Sequence, residues 1–371
     1  MADVLTGKSP FKEQAQEYVQ QSGIADSAEE ILGPFSEIST MVVESLWNAG
    51  FPSSSTNSLH WPYLLVTLLL CIVLWKVRSG RGAKDADGVE RPMGLLSYLF
   101  PRKIYTHRSA RVDIGLYFID AMLHPFWVIA FLGAVAPLVE QNTIAVMQGV
   151  FGPSPAMEVS TPWMLLYGLL TLLLADFVFY ATHWAMHRYP VLWAIHKVHH
   201  SAEVLTPLTR YREHFLAAPI WAAGAAVSYA LIAGVFAFLF NGGITGVTIM
   251  NVSIFSFAYA LLGNFRHHHV SIRFPRALSL WIQSPAMHHT HHSVLEKHWG
   301  TNLASVTSIW DRLFGTIYIP EKDEETPWGL PEEDQIHNSS LKQNLVGPFR
   351  EIYRIVRGSG SSTVGSAKGE R

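Results

Sequence analysis

Fourteen of the chain's 18 histidines lie between His183 and His298, and their spacings repeat. His183 and His187 stand four apart; His196, His199 and His200 form a His-x-x-His-His string, and His288, His291 and His292 repeat it. Neutral imidazole is the commonest protein metal ligand. On a helix, positions i and i+4 share a face, so His183 and His187 can present their rings to one point, and the i, i+3 and i+4 positions of each longer string fall within ~100° of arc. These eight imidazoles exceed what one tetrahedral zinc takes, and they predict two metal ions with several nitrogen ligands each. Imidazole suits iron, zinc, copper and nickel alike, so ligand type alone does not choose the metal. The single cysteine, Cys71, excludes intramolecular disulfides, thiolate zinc clusters and iron–sulfur cages. His60, His107, His124 and His337 stand outside the groups and read as ordinary interfacial or hydrogen-bonded side chains; His268 and His289 read as bystanders.

The elements that position these groups are apolar. Charged residues make up 15% of the chain and hydrophobic ones 49%, and the net charge is −2. Soluble domains carry about a quarter charged residues, and no basic field exists here to attract nucleic acid. A spanning helix needs ~20 mostly apolar residues. Five stretches are candidates: 61–75, 115–139, 162–181, 215–240 and 243–265, the first the weakest. The fourth and fifth contain no charge and leave no polar face for water. The fold class expected is therefore all-α: a polytopic membrane helical bundle of about five spans.

Loop charges orient the bundle. Residues 1–59 hold eight acids against Lys8 and Lys12, whereas 76–111 hold nine Lys and Arg against three acids. Residues 140–161 have neither Lys nor Arg, and basic residues return at Arg188, Lys197, Arg210 and Arg212, then at Arg266, Arg273 and Arg276. Under the positive-inside rule the N-terminus lies outside, while the C-terminus and every histidine group lie on the cytoplasmic face. The polar, acidic N-terminus carries no signal-peptide pattern. Four regions follow: an acidic leader at 1–57 with a possible amphipathic helix at 28–44, two spans and a basic loop at 58–160, a histidine-bearing region at 161–320, and a polar, partly disordered tail at 321–371. Residues 321–334 read as a solvated acidic segment.

At the histidines the chain resembles the fatty acid hydroxylase/sterol desaturase superfamily of membrane di-iron enzymes. Asp176-Phe-Val-Phe-Tyr-Ala-Thr-His183-Trp-Ala-Met-His187 is similar to its first box, and Trp193-Ala-Ile-His196-Lys-Val-His199-His200 to its second. Ser284-Pro-Ala-Met-His288-His-Thr-His291-His292 is similar to its third, and Trp310-Asp-Arg-Leu-Phe-Gly-Thr316 to its tail. Eight residues separate His187 from His196, closer than in the acyl-CoA desaturase type. His269 stands where Asn is common, and His289 is an extra imidazole in the third box.

The resemblance implies two iron ions that use O2 to hydroxylate or desaturate an unactivated C–H bond of a lipid such as a sterol or fatty-acyl chain. It implies His183, His187, His196, His199, His200, His288, His291 and His292 as ligands, with His267 and His214 next. Asp176, seven residues before His183, lies on the same helical face and is expected to accept an imidazole N–H. Glu203 is expected either to support a ligand in this way or to sit on a solvated loop. Asp311 and Arg312 are expected to form a structural ion pair or cap. The chain has no Gly-x-Gly-x-x-Gly loop, cysteine cluster or recognisable haem segment, so electrons are expected from an external NAD(P)H-linked protein. The competing class is a non-redox metal protein, a zinc hydrolase or a metal transporter. No His-Glu-x-x-His string occurs, and the histidines flank the spans rather than line them.

Overall fold

Four helices are long and apolar enough to cross a membrane in the computed structural model, which describes residues 39–47, 59–79, 94–249, 252–253, 262–322, 324, 326–336 and 338–358. The first is α1, Trp61–Ser79, closed by Lys76 and Arg78. The second is one 44-residue run, Arg108–Phe151. It comprises α2, Arg108–Trp127, a π-helical stretch, Val128–Val135, and α3, Ala136–Phe151. Helices α4, Thr161–Arg188, and α6, Ala217–Leu239, complete the four. Leu65, Leu69 and Val73 on α1 and Leu165 and Leu169 on α4 remain exposed, as side chains that meet lipid do.

Two expectations change here. The second span does not end near residue 139: helix continues to Phe151 where a loop was expected. At 1.5 Å per residue a straight run would measure about 66 Å, roughly twice the hydrocarbon layer. Pro125 removes one backbone donor just before the π-helical stretch, where the ladder leaves α geometry. The fifth expected span lies partly outside the described residues. In its described part, Thr248–Ile249 pairs antiparallel with Val252–Ser253, and Asn264–His267 is a 3-10 turn. The amphipathic helix expected at 28–44 also lies mostly outside them; 39–47 is helical.

Helix α6 packs along α3 and α4. Gly234 makes the α3 approach possible, because a Cβ there would stand 2.9 Å from the Glu140 carbonyl oxygen. Past Arg188 the chain turns at Tyr189 into α5, Pro190–His200, whose residues Trp193–His200 are all buried. The short helices α7, Pro285–His291, and α8, Ile309–Leu313, follow. Within the region expected as a polar, partly disordered tail, Leu341–Val356 forms α9, which packs on α5. Its Leu341 and Leu345 cover Val112, Leu116 and Val198, and its Ile352 covers Met186, Ile195 and Ala217. The acidic segment is not simply solvated either. Glu324 bonds Tyr318 and His298, and Asp334 pairs with the buried Lys197 at 3.2 Å.

Candidate metal centre

The last turns of α4 bring His183 and His187 to the start of α5, where His196, His199 and His200 occupy one side of a short helix. Pro190 begins α5 with its φ already helical and no donor to lose. The third string lies on α7, whose first turn is capped by Ser284 accepting the Met287 N–H at 3.4 Å. His267 arrives on the turn Asn264–His267.

These nine imidazoles form two groups. His183, His187, His196, His200 and His291 make one, and His199, His267, His288 and His292 the other; within each group the facing nitrogens all lie within 4.8 Å. In the second group His267 Nε2 stands 2.9 Å from His288 Nε2 and 3.2 Å from the Nε2 atoms of His199 and His292. In the first, His183 Nε2 and His196 Nε2 are 2.9 Å apart. Eight of the nine rings are buried, and His187 is half-buried. Burial, reinforced by neighbouring rings, holds His196, His200, His288, His291 and His292 well below the ordinary imidazole pKa, and His199 falls to about 3. Neutral rings are ligand-competent. The Nε2 atoms of His187, His200 and His291 are buried without a hydrogen-bond partner, a donor set that fits a metal ion.

The far side of several rings is tied down. His183 Nδ1 donates to the Leu303 carbonyl at 2.7 Å, and His291 Nδ1 to that of Thr301 at 2.9 Å. A donor at Nδ1 leaves the Nε2 lone pair for a metal. Arg266 reaches His288 Nδ1 at 2.8 Å and also grips the Ser305 carbonyl.

The predicted residues divide clearly. All eight box histidines and His267 converge, whereas His214 stands outside both groups. Its Nε2 bonds the Leu345 carbonyl at 3.1 Å and its Nδ1 accepts the Leu216 N–H, so both ring nitrogens serve the backbone. Asp176 does not reach an imidazole. Its carboxylate accepts the N–H groups of Ser305, Val306 and Thr307 and the Thr307 hydroxyl at 2.7–2.9 Å. It acts at one remove, holding the loop whose Ser305 carbonyl anchors Arg266. Glu203 pairs with Arg108 at 2.8 Å, away from the rings, and Arg108 keeps its carboxyl below the ordinary range. Asp311 and Arg312 do not pair with each other. Asp311 accepts the Leu303 and Ala304 N–H groups, while Arg312 donates to the Leu280 carbonyl and covers Trp281. His268 and His289 are bystanders, the latter bonding the Phe265 carbonyl.

Two supporting residues escaped the sequence reading. Glu213 lies 3.4 Å from His199 Nδ1 and 3.9 Å from His196 Nδ1, one carboxylate facing a ligand of each group. Burial, with Asp120 adding to it, pushes its carboxyl well up, against a hydrogen bond from the Trp221 side chain. Arg212, almost fully buried, pairs with the equally buried Asp113 at 2.7 Å and donates to the Val198 carbonyl. Arg212 and Glu213 directly precede His214 in the sequence, beside a residue expected as a ligand.

The fatty acid hydroxylase family matches residues 168–316, the segment that carries all nine of these histidines. Ornithine lipid hydroxylase OlsE of Rhizobium tropici is 30% identical over 163 residues, 44% of this chain and 45% of that protein. The alkylglycerol monooxygenase of Xenopus tropicalis is 29% identical over 161 residues, 43% of this chain and 32% of its own length. That of Caenorhabditis elegans is 28% identical over 183 residues, 49% and 32% of the respective chains. The matched stretch thus spans less than half of each relative. No solved structure matches the chain. The histidine-bearing part of this chain belongs to the fatty acid hydroxylase/sterol desaturase superfamily.

Proposed function

We propose that the chain is an O2-dependent, non-haem di-iron membrane oxidoreductase that hydroxylates an unactivated C–H bond of a lipid. The observation that carries this reading is the division of nine imidazoles into two groups, in the segment shared with lipid hydroxylases and monooxygenases. His183, His187, His196, His200 and His291 would hold one iron, and His199, His267, His288 and His292 the other. The donor set fits. The nitrogens of each group converge within 4.8 Å of one another, and imidazole suits iron as a ligand. When bound, the iron pair supplies O2 activation and the oxidising power for the C–H bond.

The chain's own residues position and shield. Carbonyls of Leu303 and Thr301 fix the His183 and His291 rings, and Glu213 faces His196 and His199. Desaturation would use the same ligands; the relatives' names, hydroxylase and monooxygenase, favour hydroxylation. Ornithine lipids and alkylglycerols join sterols and fatty-acyl chains as substrates to test. The further reading places the N-terminus outside and the metal groups and C-terminus in the cytoplasm, where an external NAD(P)H-linked electron-transfer protein would dock.

Metal analysis of the purified protein tests the centre, with two irons per chain expected. Lipidomics of cells with and without the gene under 18O2 tests the reaction, with one labelled oxygen in the accumulating lipid. One zinc per chain without O2-dependent turnover would leave the zinc hydrolase or transporter standing instead.

A further inference from the structure

Helix α9 has three faces. At ~100° per residue, its core face carries Leu341, Asn344, Leu345, Pro348 and Ile352 against α2 and α5. Beside it Val346, Phe349, Tyr353 and Val356 fall within ~80° of arc and are all exposed, at 36%, 46%, 55% and 76%. Beyond that ridge Arg350, Arg354 and Arg357 fill the next ~60°, likewise exposed. Lys342 is the fourth cation; the helix's one acid, Glu351, is spent on the buried Lys197. The free charge of the outer surface is thus wholly positive.

The helix sits where two spans end. Phe349 packs on His214 and Phe215 at ring separations of 5.4 and 5.9 Å, at the entry to α6. Ile352 packs on Met186, in the last turn of α4, and on Ala217, the first residue of α6. At the level where spans meet headgroups, an apolar ridge that sinks toward acyl chains and a flanking arginine row that reaches acidic headgroups are complementary to one surface.

We infer that α9 is an interfacial helix docked on the anionic headgroup layer of the bilayer that holds the spans, with Val346, Phe349, Tyr353 and Val356 immersed and Arg350, Arg354 and Arg357 on acidic headgroups. The guanidinium of Arg357 over the Tyr353 ring, at 4.6 Å, joins the two strips. Because α9 also buries the back of α5, this places a lipid-contacting element directly behind the helix that carries His196, His199 and His200.

The test uses the full chain with single nitroxide labels at 346, 349, 353, 356 and 354, in a Cys71→Ala background checked for full metal content. Cys71 is buried, so the native chain, mock-labelled, sets the background if that variant fails to fold. In vesicles of phosphatidylcholine with phosphatidylglycerol, oxygen accessibility should exceed that of an aqueous nickel chelate at the four ridge positions. The ratio should invert at 354. The triple variant Arg350→Glu, Arg354→Glu, Arg357→Glu should shift only the ridge labels toward water. Ridge labels as water-accessible as 354 would overturn the inference. So would dipolar broadening between ridge labels, which would put a second copy there. Equal protection in phosphatidylcholine alone would overturn the assignment to acidic headgroups.

Discussion

Removing one imidazole should empty a site rather than weaken it slightly, because a buried metal site depends on each of its ligands. His199→Ala and His291→Ala are expected to lose iron and activity together; full iron content in both would overturn the ligand assignment. Glu213→Gln keeps the shape and replaces the carboxyl that faces His199 and His196 with an amide. Partners of this kind cost 10–100-fold in metal affinity or activity, so about that loss is expected, with Glu203→Gln near unchanged as the control. Glu324 sets a pH test. Burial pushes its carboxyl up, but hydrogen bonds from Lys297, Tyr318 and His298 outweigh this and hold it at about 2. A depressed folded-state value means stability present above the ordinary 4.5 and lost as pH falls toward 2. The thermal midpoint of Glu324→Gln in detergent should therefore lie below the native one at pH 7 and converge with it as pH falls through that window. At this scale the box histidines were legible because i, i+3, i+4 geometry is local. The partners of Asp176 were not, because they are loop N–H groups about 130 residues away in sequence.

Hydropathy found α1, α4, α6 and the start of the Arg108–Phe151 run, since a span must be apolar along its length. It could not find α9. That helix is amphipathic, stands beside a Gly/Ser-rich stretch, and owes its place to tertiary packing on α5 rather than to propensity. The clamp between α2 and the segment after α5 was equally hidden. Arg212 reads as one more positive loop residue until Asp113 is found 2.7 Å away with both side chains buried. Deleting one partner strands the other without water, so Arg212→Met should cost about 3–5 kcal/mol. The measurement is the thermal midpoint in detergent, and Arg212→Met with Asp113→Asn should recover part of the loss. A single variant as stable as the native chain would show the pair to be dispensable.

Across the whole molecule, the spans set a level and the histidines gather at one end of α4, where α5 and α7 meet it. The strings are interleaved. On α5, His199 faces one group and its neighbours His196 and His200 the other; around α7, His291 parts from His288 and His292 in the same way. Neighbouring helical residues differ by ~100° in direction, so two adjacent rings on one short rod necessarily address two points. Whatever fixes the rotation of that rod for one point fixes it for the other. Ordering once would serve twice, so a second ion would meet rings already aligned. Iron uptake should accordingly be all-or-none. In native mass spectra of metal-free protein titrated with iron(II), chains with two ions should dominate over chains with one at half loading, and His267→Ala should lower both occupancies. A binomial mixture would show two independent sites. The chain would then exist as empty or complete, with little of the half-loaded form in which a lone iron meets O2 without its partner.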